Sequence, residues 1–259
     1  MEKLKISDRE FSNRLFIGTG KYASVELMAE AIEKSGTGLV TVALRRMDFD
    51  SPADEFIRAI DRESVLLVPN TSGARTAEEA LRLSELARAA GGGDWVKLEL
   101  TPEPRYLLPD PVETLKAAEM LVQSGFKVLP YINAVPVLAK RLEETGCPAV
   151  MPLGAPIGSN RGLRMRDKIE IIIEQADVPV IVDAGLGMPS HAAAAMEMGA
   201  SAVLVNTAIA SAENPVEIAC AFSKAVESGR AAFLYSGVAR SRTASPSSPV
   251  SGFLDSLED

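Results

Sequence analysis

Eight short runs of β-branched and aliphatic residues, separated by segments of helical periodicity, constrain this 259-residue chain more than any other feature. The runs are RLFIGTG from Arg14, LVTVAL from Leu39, SVLLVPN from Ser64, WVKLEL from Trp95, KVLPYI from Lys127, AVMPLG from Ala149, PVIVDAG from Pro179 and AVLVNT from Ala202. Between them lie stretches of helical spacing rich in Ala, Leu, Glu, Lys and Arg, including Ala77 to Ala90, Pro111 to Ser124, Val135 to Thr145 and Met165 to Ala176, so each strand is expected to lead into a helix. Pro111 and Pro189 suit first-turn positions, and Gly36, Gly125, Gly146 and Gly199 stand where a left-handed cap is wanted. Strand runs that are almost wholly apolar indicate a parallel sheet covered by helices, and eight right-handed βα units close naturally into a barrel of about 250 residues. The expected fold is therefore an α/β single domain, a (β/α)8 TIM barrel over residues 1–235. A doubly wound open sheet is the alternative, and it would leave edge strands unpaired. Residues 236–259 form a separate tail: SGVARSRTASPSSPVS from Ser236 has little apolar content and reads either as a disordered terminus or as a flap that orders on binding.

Composition removes several classes of function. No stretch approaches the roughly 18 apolar residues that cross a bilayer, and MEKLKISDRE lacks a leader pattern. A cytoplasmic protein without a membrane partner is expected. Lys and Arg number 27 against 35 Asp and Glu, and a net charge of −8 repels polyphosphate backbones, so nucleic acid is not an expected partner. Cys147, Cys220 and the lone His191 are too few for a zinc cage or a disulfide framework. Catalysis is left to Lys, Asp, Glu or hydroxyl groups.

In such a barrel, chemistry gathers where strands end and βα loops begin. Period-two alternation in WVKLEL puts Trp95, Lys97 and Glu99 on one face and Val96, Leu98 and Leu100 on the other. The apolar face meets the helices, so Lys97 and Glu99 point inward. Desolvation there favours a neutral amine near physiological pH, able to attack a carbonyl; the competing role is a structural ion pair with an acid. Asp183 ends the seventh run before a glycine-rich turn, where it can move protons or cap the turn. Three small-residue loops, LGAPIGSNRG from Leu153, DAGLG from Asp183 and NTAIA from Asn206, offer backbone amides to an anion. An acidic protein can bind phosphate in this way.

Other conspicuous residues carry blander readings. His191 falls in a first helical turn and reads as a surface imidazole, and Cys147 and Cys220 read as small core fillers. Arg45 and Arg46 end the second run, as phosphate or acid partners or as a solvated pair, while Met196 and Met198 suggest packing.

Several of these segments together resemble the bacterial thiazole synthase family of thiamin biosynthesis. They are GTGKY from Gly18, VTVALRR from Val40, NTSGARTAEEA from Asn70, VKLEL from Val96, AVMPLGAPIGSN from Ala149, VPVIVDAGLG from Val178 and GASAVLVNTAIA from Gly199. The resemblance spans nearly the whole chain. It implies a (β/α)8 barrel acting on 1-deoxy-D-xylulose 5-phosphate, with Lys97 as the imine-forming nucleophile and Glu99 and Asp183 as acid and base. It further implies ketose phosphate contacts at Gly158, Ala184, Gly185, Asn206 and Thr207, and no metal or organic cofactor. The implied partners are a ubiquitin-like sulfur carrier protein with a C-terminal thiocarboxylate, a dehydroglycine-producing enzyme, and further copies of the chain in a homotetramer. SSPVSGFL from Ser247 resembles the family's ending, whereas the preceding SRTASP lacks aromatic residues found in some relatives. The residues taken alone also fit a Schiff-base aldolase or isomerase on another sugar phosphate, or a non-catalytic barrel that binds a phosphorylated metabolite.

Overall fold

A computed structural model describes residues 2–43, 58–237 and 242–248. Eight parallel strands form its centre: β3 (Leu15–Gly18), β4 (Leu39–Ala43), β5 (Leu66–Asn70), β6 (Trp95–Leu98), β7 (Lys127–Ile132), β8 (Met151–Pro152), β9 (Ile181–Asp183) and β10 (Ala202–Val205). All eight coincide with the apolar runs. Pairing follows chain order from β3 to β8, and β10 joins β3 to β9. Bridges at Val150–Val180 and Leu153–Asp183, with the Ile181 N–H donating to Val150 O at 2.9 Å, join β8 to β9. The sheet closes into a (β/α)8 barrel, which excludes the open-sheet alternative.

The helices fall where spacing and punctuation place them. Those described are α1 (Val25–Ser35), α2 (Ala77–Ala87), α3 (Pro111–Gln123), α4 (Pro136–Thr145), α5 (Arg166–Gln175), α6 (Pro189–Glu197), the single turn α7 (Thr207–Ala210) and α8 (Pro215–Tyr235). Pro111 and Pro189 occupy the first turns, and Asp110 caps α3 by accepting from the Val112 and Glu113 N–H groups at 2.9 and 3.0 Å. Gly36, Gly125, Gly146 and Gly199 all take positive φ, as helix ends of this kind require. The run Ala77 to Ala90 departs slightly from expectation, because after Ala87 the chain passes into a π turn over Arg88–Gly92. No helix among the described residues is long and apolar enough to cross a membrane.

Alternation divides each strand between two environments. Leu15, Ile17, Val96, Leu98, Val128, Val182 and Val203 face the helices, while Phe16, Leu39, Val68, Trp95, Leu129, Met151, Ile181 and Leu204 fill the barrel. A short antiparallel hairpin, β1 (Leu4–Ile6) and β2 (Arg9–Phe11), adds Leu4, Ile6 and Phe11 to that interior cluster, with Phe11 edge-on to Phe16 at 5.2 Å. It plugs the end opposite the loops that follow the strands. The hairpin escaped the sequence reading because three residues per strand are too few to display a period.

Candidate active site

At the C-terminal ends of the strands the interior changes character. Leu39 is followed inward by Thr41, Val68 by Asn70, Trp95 by Lys97 and Glu99, and Ile181 by Asp183; all these polar residues line a cavity of about 420 Å³. Lys97, Glu99 and Asp183 are 6%, 8% and 3% exposed, so three ionisable groups are buried at one mouth. Lys97 Nζ stands 2.5 Å from Asp183 Oδ2. Burial pulls the Lys97 ammonium toward deprotonation, but the charges of Asp183 and Glu99 and the Asp183 hydrogen bond outweigh it and hold the group above the ordinary lysine value. Of the two roles open for Lys97 from the sequence, the structure shows the ion pair with an acid, Asp183; desolvation was legible from the strand, the counter-ion distance was not.

Glu99 is held by a side chain that strand periodicity did not single out. The β5–β6 ladder pairs Asn70 with Lys97 and then loosens. There the Thr71 N–H donates to Lys97 O at 3.1 Å, the Thr71 hydroxyl donates to Glu99 O at 3.0 Å, and the Glu99 N–H donates to the same hydroxyl at 2.9 Å. A fully buried hydroxyl thus replaces a backbone rung at the position that sets the carboxylate. Tyr131 closes the other side, its ring 5.6 Å from Lys97 Nζ. Burial, and then the Asp183 and Glu99 charges, push its phenol up, and the hydroxyl has no hydrogen-bond partner among the described residues.

The small-residue loops interlock across the mouth. Gly185 has φ 75, and a Cβ there would lie 2.6 Å from the Ala155 nitrogen; the Gly162 N–H donates to Gly185 O at 2.8 Å. Only glycine permits that approach. Ala184 also takes a left-handed conformation, with φ 58, although it carries a side chain. The Asn206 amide, with its nitrogen toward the loop after β3, donates to Gly18 O at 3.0 Å and Gly20 O at 2.7 Å. Gly158, Ala184, Gly185, Asn206 and Thr207 all line the same cavity as Lys97, Glu99 and Asp183.

His191 differs from its reading as a surface imidazole. It is half-buried at the start of α6, and its Nδ1 accepts from the Gly187 and Met188 N–H groups at 3.1 and 3.2 Å, so it caps the helix below the DAGLG loop. Cys147 is a core residue whose thiol burial pushes up to about 12, whereas Cys220 is only half-buried. Met196 is buried and Met198 packs against the same core. Arg45 and Arg46, and most of the 236–259 tail, lie outside the described residues. Sequence reasoning did not single out Lys21, which lines the cavity, or Thr71, which bonds the Glu99 backbone behind it, although both sit inside quoted segments, GTGKY and NTSGAR.

Comparison with known proteins places this geometry in a context. A family model described as thiazole biosynthesis protein ThiG matches residues 5–249. Thiazole synthase 2 of Syntrophotalea carbinolica is 64% identical over 98% of this chain and 98% of its own length. A thiazole synthase of Escherichia coli is 60% identical over 97% of this chain and 98% of its own. Among solved structures, the Amycolatopsis orientalis BexX/CysO complex superposes with a TM-score of 0.82 at 33% identity, covering 93% of this chain and 98% of the matched one.

Proposed function

The chain belongs to the thiazole synthase family of thiamin biosynthesis, and from that premise we propose that it builds a thiazole phosphate carboxylate on an imine between Lys97 and 1-deoxy-D-xylulose 5-phosphate. The observation that carries the reading is the buried Lys97–Asp183 pair at 2.5 Å, with Glu99 beside it and phosphate-sized loops across the cavity. To act as a nucleophile the Lys97 ammonium first passes a proton to a carboxylate, for which Asp183 Oδ2 is in contact. The free amine adds to ketone C2, the carbonyl electron pair moves to oxygen and is protonated, and loss of water leaves the imine. Asp183 or Glu99 then removes the C3 proton. Reprotonation of the resulting enamine at C2 leaves a carbonyl at C3, which gives sulfur a carbon to attack.

In this reading sulfur arrives on the C-terminal thiocarboxylate of a ubiquitin-like carrier and adds to C3, and the C3 oxygen takes the carrier's acyl group and leaves with it as the carrier carboxylate. Dehydroglycine supplies the nitrogen and two carbons, its nitrogen displacing the Lys97 amine from C2 before cyclisation with loss of water. The Amycolatopsis relative was solved in complex with CysO, which supports a protein partner at this barrel. Incubation with the ketose phosphate followed by borohydride, read by peptide mass spectrometry, is expected to leave a reduced adduct on Lys97 that Lys97→Ala lacks. A folded wild type that binds the ketose phosphate without forming any adduct would sink the Schiff-base mechanism. Carbon–carbon cleavage without a sulfur donor would point to an aldolase.

A further inference from the structure

Lys21 is a second lysine in the cavity wall, and the imine chemistry leaves it without a task. Lys21 is exposed, and its position is set by the loop after β3. The Thr19 N–H and hydroxyl both donate to Thr41 O, at 3.1 and 3.0 Å, while the Asn206 amide donates to the carbonyls of Gly18 and Gly20. Tyr22 on the other side packs against the core. Between these anchors Lys21 takes φ 73, a conformation that side chains seldom adopt. A segment tied at both ends and bent in this way aims the side chain over the mouth.

What lies under the ammonium is the loop of Gly158. A Cβ on that glycine would stand 3.4 Å from Lys21 Nζ and 3.6 Å from Thr207 Oγ1, so the cation and the hydroxyl flank one small space beside the Gly158 backbone. Among the described residues no acidic side chain pairs with Lys21. A phosphate monoester brings a charge between −1.5 and −2 at neutral pH. We infer that Lys21 is the cation that receives the phosphate group, beside Gly158 and Thr207, and that the two lysines divide the ligand between them: Lys97 takes the carbonyl end and Lys21 the phosphate end. The inference rests on the ketose phosphate reading above and deepens it, because it makes Lys21 the residue that selects a phosphorylated ketose over the free sugar.

A contact made equally in ground state and transition state raises affinity without changing the chemical step. Lys21→Met removes the charge while keeping a long side chain, and it leaves the φ cost in place, which Lys21→Gly would relieve. Lys21→Arg restores the charge. The measurement is the concentration dependence of borohydride-trapped adduct on Lys97, with 1-deoxy-D-xylulose 5-phosphate and with the dephosphorylated ketose. For Lys21→Met, half-saturation with the phosphorylated ketose is expected to rise by about tenfold or more, the strength of a charge-assisted contact. The free ketose should be unaffected, adduct at saturation should be undiminished, and Lys21→Arg should recover most of the loss. An unchanged preference for the phosphorylated ketose in Lys21→Met, or an equal loss with both ketoses, overturns the inference. If the wild type forms no adduct with either ketose, the Schiff-base reading fails. Lys21 is then judged by calorimetry with inorganic phosphate, whose binding Lys21→Met must weaken for the assignment to stand.

Discussion

The two ends of the barrel are built from the same strands and obey opposite rules. Below, Phe16, Leu39, Trp95, Leu129 and Ile181 pack with the N-terminal hairpin into an apolar plug. Above, one or two pleats further along the same strands, Thr41, Asn70, Lys97, Glu99 and Asp183 surround a cavity. The lower end gains from burial at about 25 cal/mol per Å². The upper end buries three ionisable groups and holds Lys21, Asn160 and Ala184 at positive φ, all of which cost stability. Stability and chemistry are thus separated along the strand axis, and substitutions at each end should fail in different ways.

The sharpest break is at Lys97. Lys97→Ala should lower thiazole formation by on the order of 10³-fold or more, since it removes the buried amine that carries the imine in this reading. It should also destabilise the fold, because Asp183 is left buried without its counter-ion. Turnover within tenfold of wild type would end the assignment. Phe16→Ala probes the opposite end: Phe16 is fully buried in the plug, and the substitution should cost roughly 3–5 kcal/mol in urea unfolding. Its adduct formation at low temperature should remain. Loss of adduct in a still-folded Phe16→Ala protein would show that the two ends are not separable.

Asp183→Asn tests the electrostatics of the upper end. Removing the leading opposing charge lets burial prevail, so the Lys97 pKa should fall from its raised position. The pH profile of borohydride trapping should then move to lower pH, even if turnover is lost with the proton acceptor. The stability consequence has a definite sign. A raised lysine pKa contributes stability that is fully present below the unfolded value near 10.4 and fades as pH rises through the folded one. Wild type should therefore lose more stability than Lys97→Met in alkaline solution above that point, as urea midpoints at several pH values would record.

Thr71→Val sharpens the comparison at smaller amplitude. The shape is kept, but the Glu99 N–H and C=O lose their shared hydroxyl in a buried place, at a cost of about 1–3 kcal/mol. If Thr71 positions Glu99, deuterium exchange at C3 should slow while imine trapping persists, and Thr71→Ser should restore it. Equal slowing of both steps would reduce Thr71 to a structural rung.

The eight barrel strands and their helices were legible in the sequence for one reason: apolar periodicity repeats, and Pro111, Pro189 and the four capping glycines mark its boundaries, whereas the hairpin of the plug was too short to show a period. The inward face of Lys97 and Glu99 followed from the same alternation. Thr71, Lys21 and His191 were not legible as they stand, because their roles depend on where a second strand or loop approaches. Thr71 matters only where β5 leaves β6, Lys21 only where its loop meets Gly158, and His191 only because two backbone N–H groups turn toward its ring. Local pattern reports the face of a strand, while these positions belong to contacts between elements distant in sequence.

Ala184→Gly carries the smallest expected effect and the most direct test of strain at the upper end. Ala184 follows Asp183 at φ 58, a left-handed conformation costing a residue with a Cβ roughly 1–2 kcal/mol. Glycine removes that cost but adds roughly 0.5–1 kcal/mol of unfolded-chain entropy. The difference favours the variant by about 0–1.5 kcal/mol in urea unfolding. Its price, if the bend aims Asp183 and the following amides, is a looser site: KM for the ketose phosphate should rise while stability rises with it. A stabilised variant with unchanged KM would show that the left-handed turn serves the packing of Gly185 on Ala155 and not the ligand.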